Sequence, residues 1–239
     1  DSAISNRSKP LCDVPEIGIG NKPIDDGNYL FTPAQKAEFI QLEPAAKAYF
    51  KRWIGSEEFI NGIERWCLWL GDCSPSDLRA MPEARKRVEA VKAFRLSSKS
   101  PPTRKLASTP TRFHVENMPT RPFLVIPEVS SEKRLYIPIG FLKPDVLCSN
   151  LVKLMRDASV WHFGILSSAI HMAWVRQVCG RMKSDYRYSS KLVYNNFPWP
   201  QEVSEKQKAA VEEAAQRVLN VRKEFPGSTL ADLYDPMAM

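Results

Sequence analysis

The side chains in this sequence with the most chemical potential are cysteine, histidine and asparagine, and their spacing excludes most of the chemistry those types perform. Cys67 and Cys73 are separated by five residues, outside the spacing of a zinc knuckle, and His162 and His171 have no carboxylate partner motif, so no zinc site is expected. Gly18-Ile19-Gly20 is a lone Gly-x-Gly after no clear strand, which does not make a phosphate loop. Neither a nucleophile elbow nor a His-Glu-x-x-His helix is present. Pro144-Asp145 is not followed by the Glu-x-Lys that a nuclease metal site would need, and reads as a turn. Asn195-Asn196-Phe197-Pro198-Trp199 approaches the Asn/Asp-Pro-Pro-aromatic loop with which amino-methyltransferases hold an exocyclic amine. It lacks the paired prolines, and no glycine-rich cofactor loop precedes it. Its expected role is to staple the preceding domain to a C-terminal helix through buried aromatics.

Charge is more informative. The 239 residues carry 34 basic and 27 acidic side chains, a net charge of +7. Residues 79–112 alone hold ten basic and two acidic side chains, so they carry +8 and the remaining chain is almost neutral. Such a segment beside a neutral body is the electrostatic footprint of a polyanion binder, with a solvated helix face as the bland alternative. A polar start and five unclustered cysteines are read as a reduced, intracellular chain. No apolar run reaches the roughly 18 residues of a membrane span. Asp1 in place of Met, and an end at ADLYDPMAM, suggest domain boundaries and a missing remainder.

The elements that must position these groups follow from pattern. Residues 1–30 read as an extended lead-in. Thr32-Pro33 opens a helix with Pro44 near its middle. Residues 65–70 (RWCLWL) read as a buried strand. Ser76-Asp77 starts a short helix, and Pro82 a longer one to Leu96 with Ala84, Val88, Val91 and Phe94 as its apolar stripe. Residues 97–112 read as a polar basic loop. Strands at 122–126 and 134–139 form an expected hairpin, and 150–155 a third strand. Residues 160–179 read as one helix ended by Gly180, and 181–194 as an exposed loop with a short strand. Ser204 caps a helix to Lys223, and Ser228 a final turn. The expected class is α+β: a mixed sheet with flanking helices and a helical C-terminal extension.

Six blocks carry a specific likeness. They are Gly55-Ser56-Glu57-Glu58-Phe59-Ile60 with Arg65 to Leu70; Arg95-Leu96-Ser97-Ser98-Lys99 with Pro102 to Leu106; Tyr136 to Phe141; His162-Phe163-Gly164-Ile165-Leu166; Gly180 to Ser189; and Tyr194 to Pro200. In this order they resemble the region after the methyltransferase domain of MmeI-like (type IIL) restriction–modification enzymes. The resemblance implies a lead-in from a missing methyltransferase domain over 1–30, a target recognition domain over 31–200, and the start of a helical C-terminal domain over 201–239. It implies double-stranded DNA and the parent's own methyltransferase domain as partners, no membrane association, and a cytoplasmic setting in a bacterium or archaeon. S-adenosylmethionine would serve the parent's adenine-N6 methylation, with neither cofactor nor catalytic residues in this piece. The alternative is a protein-interaction or scaffold domain that binds an acidic partner through the basic stretch.

The resemblance also places base-reading positions at Lys183 and Asp185, at Arg187, at Glu128, and at Asn150 with Leu151. These residue types suit the work. Lys and Arg donate to guanine O6 and N7, Asn grips adenine, and Glu or Asp accepts from cytosine N4. Lys183 with Asp185 can read both sides of one G·C pair. Taken alone, the same residues are better explained as an exposed ion pair, a turn cap and a strand-end hydrogen bond, because such residues are common. Phosphate contacts are expected from Arg85, Lys86, Lys99, Arg104, Lys105 and Arg112.

Overall fold

The structure, a computed structural model, describes residues 4–239; residues 1–3 of the expected lead-in lie outside them. The strands are β1 Ile17–Ile19, β2 Leu30–Phe31, β3 Phe50–Ile54, β4 Trp66–Leu68, β5 Phe123–Pro127, β6 Val129–Ser130, β7 Gly140–Leu142, β8 Val146–Cys148, β9 Val152–Met155, β10 Gly180–Met182 and β11 Asp185–Arg187. The helices are α1 Pro33–Leu42, α2 Ser56–Asn61, α3 Pro75–Arg79, α4 Pro82–Ser97, α5 Pro101–Lys105, α6 Val160–Leu166, α7 Ala169–Val178, α8 Glu205–Glu224 and α9 Leu230–Leu233. They build three small sheets, ordered β1-β9-β5-β7, β2-β4-β3-β8 and β10-β11-β6.

The first sheet is covered on both faces, which is why β5 reads as an unbroken apolar run. Leu124 and Ile126 join Phe163, Met172 and Val175, while Phe123 and Val125 join Ile54, Cys148, Val152 and Leu154. The second sheet carries an aromatic core in which Phe31, Phe39 and Phe50 meet edge to face at 5.0–5.9 Å. Onto it α4 lays Ala84, Val88 and Val91. A capping box between Ser204 and Gln207 opens α8, which lies against α6. Gly164 permits that approach, because a Cβ there would sit 2.8 Å from a Val211 methyl.

The α+β class stands, with several elements placed differently from the sequence reading. The lead-in contributes β1 to the first sheet. The helix from Pro33 ends at Leu42, and Pro44–Tyr49 continue as a 3-10 segment. Ser74, not Ser76, caps α3, and Thr229, not Ser228, caps α9. The basic loop contains α5, started by Pro101 and Pro102. Residues 134–139 are not a strand; β5 pairs with β7 and β9 instead. Pro138 has no N–H to offer a ladder, yet Ile137 and Ile139 on either side are buried as loop residues. The expected 160–179 helix breaks at Ser167-Ser168, where the Ser168 hydroxyl caps α7, and Ile170 is left exposed. Gly180 opens β10 and does not cap α7. Finally, β3 was not expected, although it is central to the second sheet. Its alternation is weak, since Lys51 and Arg52 interrupt it.

Candidate nucleic-acid interface

Strands β10 and β11 form a hairpin closed by Lys183 and Ser184, with Met182 opposite Asp185 and Gly180 opposite Arg187. Its third strand is β6, where Arg187 pairs with Val129. Because successive side chains alternate across a strand, Tyr186 and Tyr188 point into the core while Asp185 and Arg187 take the other face. Lys183 sits at the tip in a left-handed conformation, φ 56°. The buried tyrosines anchor the hairpin. The Tyr188 hydroxyl lies 3.1 Å from His171 Nε2, and Arg181 stacks its guanidinium 4.0 Å over Tyr186.

Lys183 and Asp185 form no ion pair with each other. One Asp185 oxygen accepts the Glu132 backbone N–H at 3.2 Å, which orients the carboxylate. Glu128 is more committed. Lys153 Nζ stands 2.5 Å from one of its oxygens and Arg187 Nε 3.2 Å from the other. The Glu128 backbone donates to the Leu151 carbonyl at 3.0 Å and accepts from Tyr188 N–H at 2.7 Å. Asn150 and Leu151 lie not in a strand but in the turn before β9, Asn150 half-buried and Leu151 exposed. Ser56 fastens that turn, since its hydroxyl donates to the Leu151 carbonyl and accepts the Glu128 N–H at 3.2 Å. Arg187, Glu128 and Leu151 are thus tied into one neighbourhood beside Asp185 on the same strand, Asn150 adjoins Leu151, and Lys183 stands apart at the hairpin tip. A cleft of about 420 Å³ opens beside Glu128 and Arg187, between Gly180 and Lys191.

Sequence reasoning passed over Lys153 and Ser56. Lys153 had a signal: it is the single charge in an otherwise apolar strand, Val-Lys-Leu-Met.

The basic segment is less free than its count suggests. Arg95 is fully buried and bonds only to backbone carbonyls. Lys86 pairs with Glu83 at 2.7 Å, Arg112 with Glu116 at 2.5 Å, and Arg104 donates to the carbonyls of Ser98 and Lys99. Arg87 leans over the Phe31 ring. Arg85, Lys99 and Lys105 are exposed, with no side-chain hydrogen bond or ion pair among the described residues. This segment packs on the second sheet, whereas the hairpin belongs to the third.

A family model described as MmeI, target recognition domain, matches residues 1–201. The chain belongs to this family. The model of the MmeI C-terminal domain matches residues 203–239. DNA methyltransferase A of Bacillus subtilis (strain 168) is 43% identical over 236 residues, covering 99% of this chain and 27% of that protein. A solved structure of the type IIL restriction–modification enzyme MmeI in complex with DNA superposes with a TM-score of 0.98 at 47% identity. It covers all of this chain and 32% of the MmeI chain. The chain therefore spans about a third or less of these relatives, and its fold is that of the MmeI target recognition domain with the adjoining C-terminal helix.

The Gly-x-Gly at 18–20 does not form a cofactor loop. It lies at the antiparallel β1–β9 pair, and a Cβ on Gly20 would stand 2.3 Å from the Ser149 carbonyl oxygen. That glycine is used for backbone packed on backbone. Among the described residues no group of three or more His, Cys, Asp or Glu can hold a metal ion, and no helix is long and apolar enough to cross a membrane.

Proposed function

We propose that this chain is the DNA-sequence-reading module of a restriction–modification enzyme whose adenine-N6 methyltransferase part binds S-adenosylmethionine outside the residues present here. The parent is then a cytoplasmic bacterial or archaeal enzyme, with its lead-in at 1–30, its target recognition domain at 31–200 and the start of its helical C-terminal domain at 201–239. One observation carries the reading: a two-stranded hairpin with Asp185 and Arg187 on its outward face and Lys183 at its tip. Beyond its pairing with β6 at Tyr186 and Arg187, the tip half of the hairpin is a two-stranded ribbon, of a size to enter the major groove, where donor and acceptor patterns distinguish all four base pairs. Along an extended strand, Asp185 and Arg187 are separated by roughly 7 Å, about two base-pair steps.

Lys183 donates to a guanine while Asp185 accepts from its paired cytosine, and Arg187 reads a neighbouring position with Glu128. Asn150 and Leu151 approach from the adjacent turn, the amide suited to adenine and the leucine to a thymine methyl. Phosphates are held by Arg85, Lys86, Lys99, Arg104, Lys105 and Arg112. Arg85, Lys99 and Lys105 contribute most, because the other three first surrender an internal partner.

Two measurements test this. Affinity for a duplex containing the site is expected to fall steeply between 50 and 200 mM salt, on the order of a hundredfold or more for several phosphate contacts. Binding to an acidic protein with no binding to DNA would favour the protein-interaction alternative. Reversing the tip pair (K183D with D185K) is expected to turn the preference at one position from G·C to C·G by roughly tenfold, leaving other positions unchanged. Uniform weakening across all sequences would sink base reading by that pair.

A further inference from the structure

Strand β9 carries one charge. Lys153 is 7% exposed, and its neighbours Val152, Leu154 and Met155 are all buried. An ammonium in such a place is costly unless it is paired, and the cost of removing its partner exceeds what the pair itself contributes. Its partner is Glu128, whose side chain is itself only 13% exposed, at 2.5 Å. The other Glu128 oxygen takes Nε of Arg187, a side chain 56% exposed. The three side chains thus form a line of alternating charge from the interior to the outer face of the hairpin. Glu128 is also fixed through its backbone, to Leu151 on one side and Tyr188 on the other.

This line has a chemical consequence. With both oxygens engaged, Glu128 reaches a base only through its remaining lone pairs. Arg187 has only Nε engaged, so its two terminal nitrogens stay available as a forked pair of donors, the geometry that matches guanine O6 and N7. The direction of that fork is set by Glu128, and the position of Glu128 by Lys153.

We propose that Lys153 is a positioning residue for base recognition, holding Glu128 so that Arg187 presents its terminal nitrogens to a base. The preference at that position belongs to the three-residue line rather than to Arg187 or Glu128 alone. Changing Glu128 by itself leaves Lys153 buried and unpaired, so altered specificity there requires the two to change together. The inference rests on base reading by Arg187 and Glu128 as proposed above.

The test is binding of the chain to a duplex library in which each position of the site is varied, with thermal unfolding measured on the same samples. K153M is expected to reduce discrimination at one position by roughly tenfold, with the others unchanged. K153R, which keeps the charge, is expected to retain most of it. If K153M does not fold, K153Q is read in its place and must show the same confined loss. R187A is the control. If it leaves every preference unchanged, or if the unaltered chain binds no DNA, the base-reading proposal itself fails. If R187A alters one position while folded Lys153 variants alter none, or alter all equally, the role assigned to Lys153 is overturned and base reading by Arg187 survives.

Discussion

Arg95→Met is expected to destabilise the chain by about 4 kcal/mol, enough to bring a domain of ordinary stability close to unfolding. The guanidinium has five N–H groups, and all five are used. Nε donates to the Ile24 carbonyl at 2.9 Å, one terminal nitrogen to Leu106 at 2.8 Å and Thr109 at 3.0 Å, and the other to Pro23 at 2.9 Å and Arg112 at 2.8 Å. Arg95 is thus the point where the lead-in, α4 and the segment after α5 are joined. Methionine fills much of the volume but offers no donor, so the carbonyls lose their partners together. Burial pushes the carboxyl of Asp25 up, backbone N–H groups led by Tyr29 offset part of that rise, and the positive charge of Arg95 adds a smaller offset, so the substitution also removes a minor counter-charge. Arg95→Lys has three donors on a compact head and is expected to recover only part of the loss. Urea unfolding measures both, and limited proteolysis reports whether residues 97–112 come loose first. A loss under about 1 kcal/mol for Arg95→Met would show that the five bonds contribute little net stability. For function, loosening this segment is expected to weaken DNA binding through Lys99 and Lys105 without changing which bases are preferred.

Stability is expected to fall by about 2 kcal/mol between pH 7 and pH 5 through His171 alone. His171 is 1% exposed, and burial lowers its pKa from 6.5 to about 3. Its Nε2 meets the Tyr188 hydroxyl, Nδ1 has no partner among the described residues, and the Phe197 ring stands edge-on at 4.6 Å. An imidazolium would need acceptors at both nitrogens, and only one nitrogen has a partner. The native state therefore refuses a proton that the unfolded chain accepts below about pH 6.5. Between pH 6.5 and about 3 the unfolded state binds more protons, so stability drops as pH falls through that window and is unaffected by this group above it. His171→Gln, which keeps a polar head for Tyr188, is expected to flatten that slope even if it lowers stability at pH 7. An unchanged slope in this variant would assign the acid sensitivity to other groups. The consequence reaches the interface, because Tyr188 follows Arg187 and donates its N–H to Glu128. Acid loosening of the His171 pocket is therefore expected to loosen the hairpin as well.

Much of the architecture was legible because local rules acted without competition. Thr32 with Gln35 and Ser204 with Gln207 form the capping boxes that their spacing implies. The run Phe123–Pro127 is a strand because it is apolar on both faces and both faces are covered. Expectations failed where an isolated local signal met a tertiary demand. Ile137 and Ile139 are apolar as a strand would be, but they fill the core from a loop. The 160–179 segment keeps helical spacing across a break that only the Ser168 cap reveals. In α4 the buried positions are 84, 88, 91 and 95, a regular stripe whose fourth place is taken by arginine. Pattern alone counted that residue as surface charge.

The sequence by itself determined the class, most of the helices and the family, whereas the alternation that turns Asp185 and Arg187 away from the buried tyrosines came only with the structure. The first three follow from periods of 2 and 3.6 and from short motifs, which are local properties of a chain. Only the tertiary structure decided what each charge is for. Of the ten basic residues in 79–112, one is a buried backbone clamp and others are paired internally, while a lysine from an apolar strand lies behind the hairpin. The physical reason is that a charge is defined by its surroundings. Water, a carboxylate or five carbonyls give the same guanidinium three different roles, and which one surrounds it depends on residues distant in the sequence.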